Sequence, residues 1–285
     1  MRPHLKTILM LAPALVLLFG LFVGGLVVGL GQSLGYFPLI GLTDFTFSYY
    51  ASVLTDNNFL QSLWLTFRIA FVSTLLSSIL AVGAALILRE RFKGSQLATF
   101  VFQIPIPIPH LVAAIGIVLL VTQSGLLARF GVSLGWLERP AEFPVMVFDR
   151  AGIAIILSYL WKEVPFIGLV VLAILQSVGP QYEEIAQTLG ANKWQRFWYV
   201  LFPLILPGIL STSIIVFAFT FANYEIPLLL GVRFPTTLPV WAFQSYQDPD
   251  LANRPEAMAV GIILTIIAIV LLVAYKRLIA YSTRT

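Results

Sequence analysis

Residues 182–207 read YEEIAQTLGANKWQRFWYVLFPLILP, a charged interruption in an otherwise oily chain. Glu183, Glu184, Lys193 and Arg196 fall within fourteen residues, beside Gln181, Gln187, Asn192 and Gln195. On insertion scales a charge at the bilayer centre costs about 2.5 to 3.5 kcal/mol. Four of them together place this segment outside the hydrocarbon. Its start predicts a short helix, and Gly190 supplies a stop or a kink. Beyond it Trp194, Phe197, Trp198 and Leu201 recur at spacings of three, one and three, the pattern of a helix with a docking face.

The rest of the chain gives that island its meaning. Of 285 residues, 59% are hydrophobic and 11% charged, and the mean hydropathy is +0.93. Such a composition describes a polytopic membrane protein rather than a globular enzyme. With no cysteine, neither disulfide nor thiol chemistry is available. The net charge of +4 is scattered over short loops, which is not the footprint of a nucleic-acid binder. Apolar runs of roughly 20 residues mark membrane spans, and six are read at about 8–30, 60–88, 97–122, 151–177, 203–230 and 257–275. The expected fold is therefore an all-α membrane protein of six transmembrane helices, one domain over 1–285, with the polar island between the fourth and fifth.

Orientation follows from the excess of Lys and Arg on the cytoplasmic side. With both termini inside, that side holds Arg2, Lys6, Arg89, Arg91, Lys93, Lys193, Arg196, Lys276, Arg277 and Arg284, ten of the 17 basic residues. The opposite loops hold five: Arg129, Arg139, Arg150, Arg233 and Arg254. Arg68 and Lys162 fall within spans. The first span exceeds the apolar core of a cleaved signal peptide, about 7–15 residues, and no small-x-small site ends it, so it reads as a retained anchor. The external segments 31–59, 123–150 and 231–256 are rich in Pro, Gly and aromatics and read as compact caps or re-entrant turns.

Little here supports catalysis. No G-x-x-x-x-G-K-[ST] loop, G-x-S-x-G or H-E-x-x-H occurs, and His4 and His110 are the only histidines, neither at metal-ligand spacing. Glu183 and Glu184 are adjacent, so on a helix they point about 100° apart, which suits docking better than acid–base work. Polar groups within the spans are the candidates for a pathway. Glu225 lies in Phe221-Ala222-Asn223-Tyr224-Glu225-Ile226-Pro227 and either meets a cationic cargo, with Asn223 and Tyr224, or pairs with Arg233. Lys162 and Glu163 either line the path or contact a partner permease, or else neutralise each other or a neighbour. Arg68 reads as an internal pairing or a snorkelling side chain. Pro105-Ile106-Pro107-Ile108-Pro109-His110 breaks a helix three times over and predicts an irregular segment facing protein.

Glu184-Ile185-Ala186, three residues, Gly190, then an apolar stretch ending at Phe202-Pro203 resembles the EAA motif of membrane permeases in type I, binding-protein-dependent ATP-binding cassette importers. Trp161–Phe166 and Leu172–Val178 resemble the family's run into that loop, and the likeness covers roughly residues 55 to 280. Ile185 departs from the Ala the family often carries. The resemblance implies a cytoplasmic coupling helix seated on a separate ATP-binding subunit, with Glu183, Glu184, Ala186, Gly190, Trp194 and Phe197 in that contact. It implies as partners cytoplasmic ATP-binding subunits, a second permease subunit, identical or homologous, an extracytoplasmic solute-binding protein, and the lipid of a bacterial inner membrane. ATP and magnesium would be handled by the partner, with no cofactor in this chain. The sequence around Glu225 resembles the branch moving polyamines, opines, phosphonates and ferric iron, and Glu225 suits a polyamine such as spermidine or putrescine. A sugar, phosphonate or iron permease is the next reading. Two alternatives stay open from the residues alone: an interfacial helix lying on the headgroups, and a non-transporting anchor or sensor that recruits a cytoplasmic partner.

Overall fold

The computed structural model describes residues 3–90 and 92–282. Arg2, Arg91 and Arg284, counted above toward the orientation, lie outside the described residues, as do the side chains of His4 and Lys6. Among the described residues the chain is helical, with no strand and one isolated bridge, Phe37 to Leu42. Helices α1 (Pro3–Leu17) and α2 (Gly24–Ser33) run on through a π-helical turn, Leu18–Val23. A short α3 (Ser48–Thr55) precedes the 30-residue α4 (Phe59–Leu88). Then come α5 (Ser95–Gln103), α6 (His110–Val121), α7 (Leu126–Ser133) and α8 (Ile153–Val178). The polar island forms α9 (Gln181–Thr188) and α10 (Lys193–Arg196), and a π-helical turn at Phe197–Leu201 leads into α11 (Phe202–Ala222). The chain ends through α12 (Glu225–Leu230), α13 (Leu238–Gln247) and α14 (Arg254–Ser282).

Six stretches are long and apolar enough to cross a membrane: Met10–Ser33, Phe59–Leu88, His110–Ser133, Ile153–Val178, Lys193–Ala222 and Leu251–Arg277. Several boundaries differ from the sequence reading, the third span ending at Ser133 rather than 122 and the fifth beginning at Lys193 rather than 203, and two of the differences have a plain physical reason. The span expected at 97–122 is two helices, α5 and α6, because Pro105, Pro107 and Pro109 lack the N–H groups that would carry the ladder across. The span expected to reach 230 ends at Ala222, and Glu225 opens a separate helix instead. The segments read as external carry short α-helices: α3 in 31–59, α7 in 123–150, where it continues the apolar stretch His110–Ser133, and α13 in 231–256.

The chain divides into two compact units. One comprises Met1–Leu60 with Leu238–Ile267. Within it the Ser33 hydroxyl bonds the Tyr50 hydroxyl at 2.7 Å, and Trp241 Nε1 donates to Glu256 at 3.2 Å. Arg254 stacks over the Tyr246 ring at 4.9 Å.

The other unit, Gln61–Thr237 with Ala268–Thr285, contains both candidate sites. Lipid offers helices no hydrophobic reason to associate, so close packing of small side chains must supply it. Along α4 the residues with no exposed surface are Ala70, Ser73, Ser77, Ala81 and Ala85, all on one face. Ala81 and Ala85 pack with Ile167, Val171 and Leu172 of α8. There Gly168 lets the backbones close: a Cβ added to it would stand 2.7 Å from the Phe102 ring and 3.6 Å from the Ala81 carbonyl. Hydroxyls in this core turn back on their own helices, as Thr66 does to Ser62 O at 2.7 Å and Thr220 to Val216 O at 2.8 Å. Gly168→Leu is expected to destabilise the protein by about 1–3 kcal/mol through overpacking. Gly116→Leu, where an added Cβ meets nothing within 4 Å, is expected to be tolerated; thermal unfolding in detergent compares the two.

Candidate functional site

The polar island is built almost entirely by local bonds. Two left-handed glycines bracket α9: Gly179 (φ +71°) and Gly190 (φ +87°). At the C-terminus the Gly190 N–H bonds Gln187 O at 2.9 Å and the Ala191 N–H bonds Ala186 O at 3.0 Å, the paired closure of a Schellman motif. An added Cβ at Gly190 would meet nothing within 4 Å, so the glycine is required by its dihedral alone. Two residues later Asn192 caps α10 reciprocally: its Oδ1 accepts from Gln195 N–H, and its own N–H donates to Gln195 Oε1, both at 2.9 Å.

Two long-side-chain contacts brace this double helix. Arg89, at the end of α4, grips Glu183 with both ends of its guanidinium, Nη1 to Oε1 at 2.6 Å and Nη2 to Oε2 at 3.1 Å. Arg196 Nη1 donates to Gln187 Oε1 at 3.0 Å, tying α10 back to α9. Glu183 therefore faces inward, while Glu184 is exposed and Ala186 half-buried. From α10 onward the aromatic rings of Trp194, Phe197, Trp198 and Phe202 meet edge-on or tilted, with centroids 4.9–6.2 Å apart. Phe197 packs on the buried core, and Leu201 is buried within it.

What the bracing leaves uncovered is an apolar stripe. Tyr182 and Ile185 of α9 and its C-cap residue Leu189 recur at one face and are 54, 60 and 82% exposed, and Trp194 of α10 is 69% exposed. Sequence reasoning had Ile185 only as a departure and Arg89 only as a loop charge. The period-of-three pattern from Tyr182 to Leu189 was the available signal for the first. Nothing local pointed to the second.

The second constellation lies deep in the helical part. At the Pro105–Pro109 break the Lys162 ammonium donates to the carbonyls of Pro105 (2.7 Å), Ile106 (3.1 Å) and Ile108 (2.5 Å). Its three N–H donors thus meet three carbonyls of the broken segment, that of Pro105 being the one whose helical donor Pro109 lacks. Glu163, the next residue, faces elsewhere: its Oε1 is 3.9 Å from His110 Nε2, and the His110 ring lies 4.7 Å from that of Phe219. Lys162 and Glu163 are both buried, and each serves a different neighbour rather than the other.

The third group stands at the far end of α11, about 30 Å of helix from the island. Asn223 Oδ1 accepts from the Tyr159 hydroxyl and from the Ile226 N–H, each at 3.2 Å, so it holds the entry to α12. Tyr224 and Glu225 are half-buried, with Glu225 in the first turn of α12. Among the described residues no ion pair joins Glu225 to Arg233. Arg68 Nη2 donates to Arg150 O at 2.7 Å, the internal pairing expected of it. No cluster of three or more His, Cys, Asp or Glu that could hold a metal occurs among the described residues.

Residues 73–285 match the family described as "Binding-protein-dependent transport system inner membrane component". The chain belongs to that family. This inner-membrane component is 29% identical over 228 residues to a sulfate transport system permease protein, CysW, of a Synechocystis strain, covering 79% of this chain and 78% of that one. It is 28% identical over 250 residues to a trehalose/maltose transport system permease protein, MalF, of Thermococcus litoralis, covering 84% and 79%. Its fold superposes with a TM-score of 0.80 on a chain of a bacterial ABC transporter involved in import of the acidic polysaccharide alginate, at 20% identity over 97% of this chain and 95% of that one. The inner-membrane component is thus a multi-pass permease subunit of the binding-protein-dependent class. Lys162→Met is expected to cost about 3 kcal/mol or more, since three carbonyls in an apolar setting lose their donors. Lys162→Arg should recover part of it, read as thermal stability of the solubilised chain.

Proposed function

We propose that α9 is the surface through which a separate ATP-binding subunit drives this permease, and that a second permease subunit completes the pathway. The observation that carries the reading is the exposed stripe of Tyr182, Ile185 and Leu189 on a helix braced from behind. A helix meant to lie on headgroups carries Lys and Arg on its polar face. Here α9 reads QYEEIAQT, with two acids and no base, which suits a protein partner better than a lipid surface. That asymmetry argues against α9 itself lying on headgroups; Lys193, Trp194, Arg196 and Trp198, the residues of the interfacial-helix reading, belong to α10 and the turn after it. ATP and its magnesium are then the partner's, and a solute-binding protein delivers cargo from the other side. The charge bias supports both termini in the cytoplasm.

The bracing explains how a push would travel. Movement of α9 passes through Arg89 to α4 and through the α10–α11 helix into the core packed on α8. A non-transporting anchor would need the recruiting stripe but not this double attachment to the spans. Leu189→Glu is expected to abolish, and Ile185→Glu to weaken, copurification of the ATP-binding subunit from membranes. Wild-type copurification and transport in both variants would sink the reading.

Cargo is a finer matter. The polyamine reading depended on Glu225, whose position at the first turn of α12 is already favoured by the helix dipole. None of the relatives described above is named for a polyamine, and one is named for trehalose and maltose. We therefore rank a sugar above a polyamine. Glu225→Gln is expected to leave uptake within about twofold of wild type, a surface-sized effect; a loss of uptake confined to spermidine or putrescine would restore the polyamine.

A further inference from the structure

A cavity of about 200 Å³ opens against the helix break, lined by Ile106, His110, Lys162, Glu163, Phe166 and Phe219 among others. That is room for about seven waters, or one small ring. Its walls are mostly apolar, with a few convergent polar groups, the usual composition of a small-molecule site. Three classes of cargo can be weighed against those walls.

An anion such as sulfate meets an adverse site. The ammonium of Lys162 has no N–H left to offer, since all three are bonded to Pro105, Ile106 and Ile108. The Lys162 and Glu163 charges offset one another, so an anion finds neither a free donor nor net positive charge there, and burying an unpaired charge is costly. A cation such as a polyamine fares little better. The Lys162 charge remains although its donors are taken, and it offsets that of the neighbouring Glu163. A neutral, hydroxylated molecule suffers from neither. Glu163 accepts from hydroxyls, and His110, 3.9 Å away, offers a ring nitrogen that can donate or accept. Phe166 and Phe219, each more than a third exposed, present ring surface to the C–H face of a sugar.

We infer that this cavity is a cargo subsite and that the cargo is a neutral polyhydroxylated ring, a sugar or polyol, rather than sulfate or a polyamine. The inference rests on the permease reading above, and its test separates the two. The natural chain has no cysteine, so Phe219→Cys gives a single reporter on the cavity wall, and Ile215→Cys a second should the first misfold. Each is labelled with an uncharged maleimide in the complex with its ATP-binding subunit, in the presence of trehalose, maltose, sulfate or spermidine. Trehalose or maltose is expected to slow labelling several-fold, sulfate and spermidine to have no effect, and Glu163→Leu to remove the protection. Protection by sulfate or spermidine, protection that survives Glu163→Leu, or no protection by any of the four overturns the inference while the permease reading stands. Failure of the wild-type chain to hold an ATP-binding subunit overturns the permease reading itself.

Discussion

Inside a membrane every backbone polar group must find a partner within the protein, and that constraint is most exposed at Pro105–Pro109. Three prolines remove the N–H groups that would have continued the helix, leaving carbonyls without donors. One lysine, reaching across from α8, answers three carbonyls of the broken segment at once. A buried charge is ordinarily a burden, and here it is tolerated because it is fully hydrogen-bonded. The consequences reach outward. With the break pinned, α6 starts at His110, His110 comes to face Glu163 and Phe219, and the cavity between them has fixed walls.

The opposite problem is solved at the polar island. There Glu183 and Glu184 precede the apolar stretch and Lys193 and Arg196 stand in its first turn, so the difficulty is to make a short two-helix segment stiff. Local closure at Gly190 and Asn192 sets the turn, and Arg89 and Arg196 anchor it to what lies behind. Partly exposed ion pairs contribute modestly to stability. Their value here is geometric: a bidentate fork fixes the direction of α9 relative to α4, leaving Ile185 and Leu189 turned outward.

Much of this was legible from residues alone. Hydropathy marked six spans, three prolines announced the break, and Gly190 announced the stop after α9, because each is a local property of neighbouring residues. What escaped was whatever joined distant segments. Arg89 and Glu183 are far apart in sequence, as are Lys162 and the carbonyls it serves, and no periodicity links them. The pairing of Lys162 with Glu163 was the natural guess for adjacent opposite charges, yet neighbours on a helix diverge, and each met a different element. Glu225 was read as lying in a span because the apolar run continues past it; Asn223 ends α11 there by accepting bonds from both Tyr159 and Ile226.

The local character of the island has an evolutionary corollary. Its turn is encoded by residues no more than a few positions apart, so the segment from Gly179 to Gln195 can be exchanged between permeases as a cassette that brings its own shape. Arg196 and the aromatic rings just beyond it meet the cassette at its own edge, whereas the Arg89–Glu183 fork ties it to a distant part of the chain. A lineage that swaps the segment to recruit a different motor must keep, or re-create, one arginine on a helix that the recombination never touches.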